Sequence, residues 1–531
     1  MPELSQPTQK LIQRYQAWYQ SLRPKEGVTT IHVDEVASRV AAFYEKIRGV
    51  VDWREEHLMR RAAIERVLKR RLLLTKDAGE ISQPFVLELI RGGHFPNDRI
   101  EESKIEEVRK IIDKYIFILE NSPKPPAEKI KAQLYDWILG ITASEIEEAL
   151  DFPRRERALI EYMEELMRES IAIKKVAVSE EERLKQISIA VQKALFKLDS
   201  SFISYSLLKR YYPQWQILNK NDWRLKEIAE NIYSIWGNIE KDFKHPLAKK
   251  FYQICERYDT PYLILGDIIS EDPMGISEKI KNGEGLESEV KNSYQKRLGT
   301  LKTRLRRAAI YVTFSIFITK ILLVFAIEVP FDKYITGQFS YFAFGLNILI
   351  PPFLMLVLVL SIRPPKKENL QQVIMETIKI AYERERKDIY QIMPSLKRGW
   401  LMNAIITIFY LLTFCVTFGL IVWGLGKLNF GVLSIIIFLM FASLISFAGI
   451  KIRERARELE VMEKRETVFV TFFDLLAMPL IRIGRWLSGQ WARFNAVVIL
   501  FNFLLDLPFQ SFIEFLEQWR AFVKEKKEEI H

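Results

Sequence analysis

Cysteine is nearly absent: the 531 residues hold two, Cys255 in a polar region and Cys415 inside an apolar run. No disulfide framework can be built from such a pair, which points to a reducing compartment for the polar half. Histidine is scarce as well. His32, His57, His94, His245 and His531 stand too far apart for ligand spacing, and neither H-E-x-x-H nor C-x-x-C occurs, so no metal centre and no cofactor is expected. No Walker loop and no G-x-S-x-G elbow is present, which removes the commonest sequence marks of phosphoryl transfer and of serine hydrolysis. The glycines of residues 424–431 read as a turn. Glu55, Glu56 and His57 read as a charged helix face, because neighbours on a helix point apart. An enzyme is therefore unsupported. With 22 Gly and 21 Pro against 49% hydrophobic residues, collagen-like and disordered classes are excluded.

Acidic charge is short in one half only. Residues 1–300 carry 49 Lys+Arg against 48 Asp+Glu, whereas residues 301–531 carry 29 against 19, so nearly all of the +11 net charge lies in the second half. That half also holds the long apolar runs, 308–327, 339–360, 401–423 and 432–450. About 20 apolar residues cross a bilayer core, so four spans are expected. Basic residues alternate six, one, nine, one, six across the flanking segments. The positive-inside rule then places the N-terminus, the 361–400 loop and the C-terminus in the cytoplasm, in a bacterial-type inner or plasma membrane. The first 19 residues are polar and predict no signal peptide.

The first 300 residues read as successive amphipathic helices, with stripes over 30–48, 53–74 and 101–119. Prolines at 123, 125 and 126 divide subdomains 1–122 and 127–282, followed by a juxtamembrane helix over 286–307. An amphipathic stripe over 368–392 and the charged stretch 451–466 extend the membrane helices as a stalk. The fold class is thus all-α: a polytopic membrane protein with a large N-terminal cytoplasmic helical domain and a C-terminal interfacial or re-entrant segment. In that segment, within 451–531, two short apolar runs flank Arg482, Arg485, Trp486, Trp491 and Arg493. These residues suit lipid headgroups, and an in-plane amphipathic hairpin is expected.

Eight Lys/Arg between Val51 and Lys76 form a basic helix. The preferred reading is a solvated face paired with Glu101, Glu102, Glu106 and Glu107; anionic lipid comes second, and nucleic acid is disfavoured because the whole domain balances to +1.

Lys320, inside the first span, is the most pointed residue, because a mid-bilayer charge costs about 2.5 kcal/mol or more. Its candidate partners are Asp506, Asp474 and Glu328. With Asn347 and the Pro351–Pro352 break in the second span, it outlines a candidate intramembrane polar site. The function expected first is a membrane-anchored scaffold or interaction protein with a cytoplasmic protein partner, or a homo-oligomer packed through Ala442, Ser446 and Gly449. The alternative is a small-solute or ion transporter using Lys320. Aromatics such as Trp215, Trp223, Trp236, Tyr211 and Tyr212 are expected mostly in the core.

Overall fold

The computed structural model describes residues 3–23, 27, 29–34, 39, 56–125, 127–174, 178–281, 283–331, 333–334, 341–362, 365, 367–382, 389–393, 399–461, 468–493, 512, 515, 518–520, 522, 523 and 526. Among these residues the secondary structure is helical apart from two three-residue strands. Three helices are long and apolar enough to cross a membrane. The chain forms two compact units: an N-terminal unit of residues 4–277, 383–394 and 500–531, and a C-terminal unit built mainly from 278–382 and 395–499.

The N-terminal unit contains α1 (Gln6–Ser21), α2 (Glu56–Leu74), α3 (Ala78–Arg91), α4 (Ser103–Glu120), α5 (Glu128–Leu150) and α6 (Arg154–Ser170). Beyond strand β1 (Ile171–Ile173) follow α7 (Glu180–Phe196), α8 (Ser200–Tyr211), α9 (Trp223–Glu230), α10 (Ile232–Phe243), α11 (Ala248–Arg257) and α12 (Asp259–Glu271). Short polar side chains start many of them. Ser5, Asp77, Ser179, Asp199 and Asp222 each accept a first-turn backbone N–H, a cap that contributes about 1 kcal/mol per helix. One core cluster runs from Ile31 to Ile239 and includes residues on both sides of the Pro125 turn.

Two stretches differ from expectation. Thr30 and Ile31 are extended rather than helical: Thr30 bridges to Glu101, and the Ile31 N–H donates to the Ile100 carbonyl at 2.8 Å. The β-branched run Thr29, Thr30 and Ile31 favours that conformation; much of 35–55 lies outside the described residues. The stripe expected over 368–392 ends as a helix at Ala381. Tyr390–Ile392 instead forms strand β2, parallel to β1, with Tyr390 stacked on Tyr258 at 4.6 Å.

The C-terminal unit begins with α13 (Gly283–Leu323), which continues through a π-helical turn (Val324–Glu328) to Phe331. It adds α14 (Tyr341–Leu360), α15 (Lys367–Ala381), α16 (Trp400–Lys427), α17 (Val432–Ala456) and α18 (Val468–Arg493). Helix α15 packs beside α13, and Asn369 ties them: its amide donates to the Tyr294 hydroxyl and the Leu459 carbonyl, and accepts from the Val461 N–H. Helix α14 runs unbroken through Pro351 and Pro352, so the expected helix break is not there.

Residues 482–493 are likewise helical. The turn of the expected hairpin therefore does not fall among them, and its second arm lies outside the described residues. Instead α18 packs lengthwise on α17, where Gly484 lies against the Ser443 carbonyl. The small residues of α17 are used within the chain: a side chain at Gly449 would strike Leu358, and Ala442 is buried.

Replacing Gly484 by Ala should force α17 and α18 apart and lower stability by about 2 kcal/mol. Thermal unfolding of the detergent-purified variant reads this directly; an unchanged midpoint would refute the close approach.

Candidate functional site

Lys320 is fully buried and does have a carboxylate partner. Its Nζ donates to Glu328 Oε1 at 2.6 Å and lies 5.3 Å from the Phe441 ring centre. The other carboxylate oxygen accepts from the Asn347 amide and from the Ser434 hydroxyl, the latter at 2.8 Å. Glu328 and Asn347 are each 3% exposed. Three elements therefore meet on one carboxylate: α13 with its π turn, α14 and α17.

The helix geometry explains the pairing. Eight residues along an ordinary α-helix leave a side chain about 80° off the starting face. A π turn inserts one extra residue, so Glu328 falls where the seventh would, about 20° from Lys320. Of the expected site, Lys320 and Asn347 are brought together. Pro351 lies one turn beyond Asn347 on α14, with Pro352 beside it, while Asp506 is outside the described residues. Of the three candidate carboxylates, Glu328 is the one that Lys320 meets, and Ser434 joins it without a sequence signal.

Arg482 stacks its guanidinium 4.3 Å from the Tyr410 ring of α16, and Arg485 and Trp486 are exposed. The side chains of Trp491 and Arg493 lie outside the described set, as does that of His57.

In the N-terminal unit five basic residues of α2 form ion pairs with acids other than Glu101, Glu102, Glu106 and Glu107. Arg60 binds Asp151 at 2.7 Å, Arg61 binds Glu65 and Asp199, and Lys69 reaches Asp136 at 3.1 Å. Arg70 and Arg71 share the buried Glu88. Deeper still, Lys114 donates to Glu145 at 2.5 Å and to the Trp215 carbonyl at 3.1 Å. Tyr115 and the Trp215 indole N–H also donate to Glu145. Burial pushes the Lys114 ammonium below its usual range, and the Glu145 charge opposes that. Every group in this network has a partner, so it is a structural core.

The N-terminal unit also has an open cleft of about 590 Å³ between α2, α5, α6, α7 and α8. Glu148 in its wall is saturated: Arg157, Lys209 and Gln216 all donate to it. Its neighbour Glu147 differs. Burial raises the Glu147 carboxyl to about 7, against the pull of Arg60 and Arg61. Among the described residues no cluster of His, Cys, Asp and Glu could hold a metal ion. No family model matches the chain, and no curated protein or solved structure is detectably similar to it.

Two measurements test these clusters. Glu328→Gln should strand the Lys320 charge and cost about 3–5 kcal/mol, whereas Lys320→Met with Glu328→Leu should nearly restore stability. Thermal unfolding in detergent checks both, and equal losses in the single and double variants would contradict the pairing. For Glu147, the folded pKa near 7 exceeds the usual 4.5. The folded state therefore favours the protonated form, and a penalty grows as pH rises from about 4.5 to 7 and stays above it. Glu147→Gln should be neutral at pH 4.5 and stabilising at pH 8 by on the order of 2–3 kcal/mol, read from denaturant midpoints at the two pH values.

Proposed function

We propose that the protein is a membrane-anchored interaction protein, with the N-terminal unit on the cytoplasmic face binding a protein partner. The observation that carries this reading is Trp223, 73% exposed at the start of α9, with Ile217 72% exposed on the preceding turn. Both project from ground fixed by buried Trp215 and Leu225. A rigidly mounted Trp near a polar rim is the side chain most often found at the energetic centre of an interface. The other aromatics in this region are spent on packing: Trp215 is in the core, Trp236 lies against Trp137, and Tyr211 and Tyr212 back the core.

The anchoring half of the reading rests on α13, α16 and α17, whose apolar sides need a cover that a bilayer supplies, and on the alternation of basic loops. Helix α14 completes four spans in this scheme, and Arg482, Arg485 and Trp486 are placed at headgroup level.

A second reading, ion or small-solute transport, is favoured by one observation: Lys320 has an intramembrane carboxylate partner in Glu328, joined to Asn347. Such charges commonly mark ion pathways.

Trp223→Ala should leave the unfolding midpoint unchanged. It should weaken a stoichiometric partner, recovered by gentle detergent extraction, by about 2 kcal/mol or roughly thirtyfold. A partner retained at full affinity would refute the role of Trp223. Flux into liposomes abolished by Glu328→Gln would favour the transport reading instead.

A further inference from the structure

The cleft of the N-terminal unit holds hydrogen-bond donors that the described chain leaves unused. Helix α6 is 17 residues long and starts at Arg154 behind Pro153, with no side chain capping it. Pro153 and Arg154 both line the cleft, so this end of the helix opens into it. The Arg154 N–H donates to the Phe152 carbonyl at 2.8 Å, and the next N–H groups of a helix start without a side-chain cap carry a partial positive charge toward a ligand.

The second observation is independent of the helix. Arg61 lines the same cleft and is 4% exposed; two of its nitrogens bind Glu65 and Asp199, but its Nε–H has no partner. A buried donor left this way costs about 1–3 kcal/mol or more, which a ligand oxygen would recover. Exposed Arg154 and Arg210 line the cleft too, and neither makes an ion pair among the described residues. The acids nearby are engaged: Asp151 with Arg60, Glu156 with Arg155, and Glu161 with Arg14 and Arg157. Glu164 accepts from Ser188 at 2.6 Å and pairs with Arg168. Glu147 alone is not so engaged, and burial holds it near neutrality. Phe152, Phe196 and Phe202 supply an apolar wall.

We propose that this cleft binds a phosphate-bearing organic ligand, its phosphate at the start of α6 between Arg154 and Arg210 above Arg61, and its apolar or aromatic body on the phenylalanine wall. Guanidinium groups match phosphate oxygens in geometry and charge. The cleft volume suits a ligand of nucleotide or lipid-headgroup size. The phosphate could belong to a soluble organophosphate or to an anionic phospholipid. The site is separate from Trp223 and does not rest on the partner reading.

The test uses the full chain in a neutral detergent, with binding followed by calorimetry. One arm titrates adenosine triphosphate and inorganic phosphate; the other titrates short-chain phosphatidylglycerol, with phosphatidylcholine of equal chain length as the control. The proposal expects saturable binding in one arm, weakened about tenfold or more by Arg154→Glu with Arg210→Glu. Both positions are exposed, so the fold should survive, and an unchanged unfolding midpoint checks it. Binding of adenosine triphosphate identifies a soluble source. Binding of phosphatidylglycerol without phosphatidylcholine identifies a lipid source. No binding in either arm up to about 1 mM overturns the proposal, as does binding that the double variant leaves unchanged.

Discussion

A lysine ammonium removed from water must find a carboxylate, and that carboxylate must find further donors. Among the described residues this constraint is met by Lys114 in the N-terminal unit and by Lys320 in the C-terminal unit. In the N-terminal unit Lys114, Tyr115 and the Trp215 indole converge on Glu145. In the C-terminal unit Lys320, Asn347 and Ser434 converge on Glu328. The Coulombic gain of such a pair roughly offsets its desolvation. Its contribution is therefore less to net stability than to uniqueness, since a helix shifted by one residue would bury the charge alone. Glu145 fixes α4 and α5 against the turn at Trp215, and Glu328 fixes α13, α14 and α17 at one depth. The apolar contacts around them are permissive about register; the charges are not.

The cleft shows what the same chemistry looks like when it is left open. Glu148 there is as fully ligated as Glu145, yet among the described residues Arg154 and Arg210 make no ion pair, with Arg210 acting on Glu164 only at longer range, the Arg61 Nε–H has no acceptor, and α6 starts without a side-chain cap. Buried polar groups without a partner are few in natural proteins, so each one calls for a physical explanation. The contrast between two consecutive glutamates on α5, Glu148 saturated and Glu147 driven toward neutrality, arises although their side chains leave the helix only about 100° apart. The local excess of donors is thus a property of the site and not of the domain, whose charges nearly balance.

The all-α class, the apolar helices and the place of Lys320 inside one of them were legible in the sequence, because each follows from composition and period within one segment. Glu328 was legible only as one of three candidate carboxylates for Lys320: it sits eight residues away, off the face of a regular helix, and no residue type announces the π turn that brings it round. Asn369 was hidden for a different reason: its three partners lie on two other segments, Tyr294 on α13 and Leu459 and Val461 in the stretch after α17. The strand at Tyr390–Ile392 was obscured by a preceding helical stripe that happened to stay in phase. For the exposed Trp223 and buried Trp215, spacing alone could not say which faced inward; the packing of Leu225 and Leu218 decides it.

The diproline illustrates how local faults can be made consistent. Pro351 has no N–H for the carbonyl of Asn347, and its ring crowds that carbonyl, so α14 is weakened one turn before the prolines. The π turn weakens α13 at Glu328. Either fault alone would cost stability without return. Here the Asn347 side chain crosses to Glu328, and the extra residue of the π turn is what places Glu328 within reach of both Asn347 and Lys320. Removing the π residue would restore a regular helix yet rotate the carboxylate away, stranding a lysine and an asparagine in the apolar interior. The irregular turn in α13 is therefore the lower-energy arrangement once Lys320 is present, while α14 stays helical through its diproline.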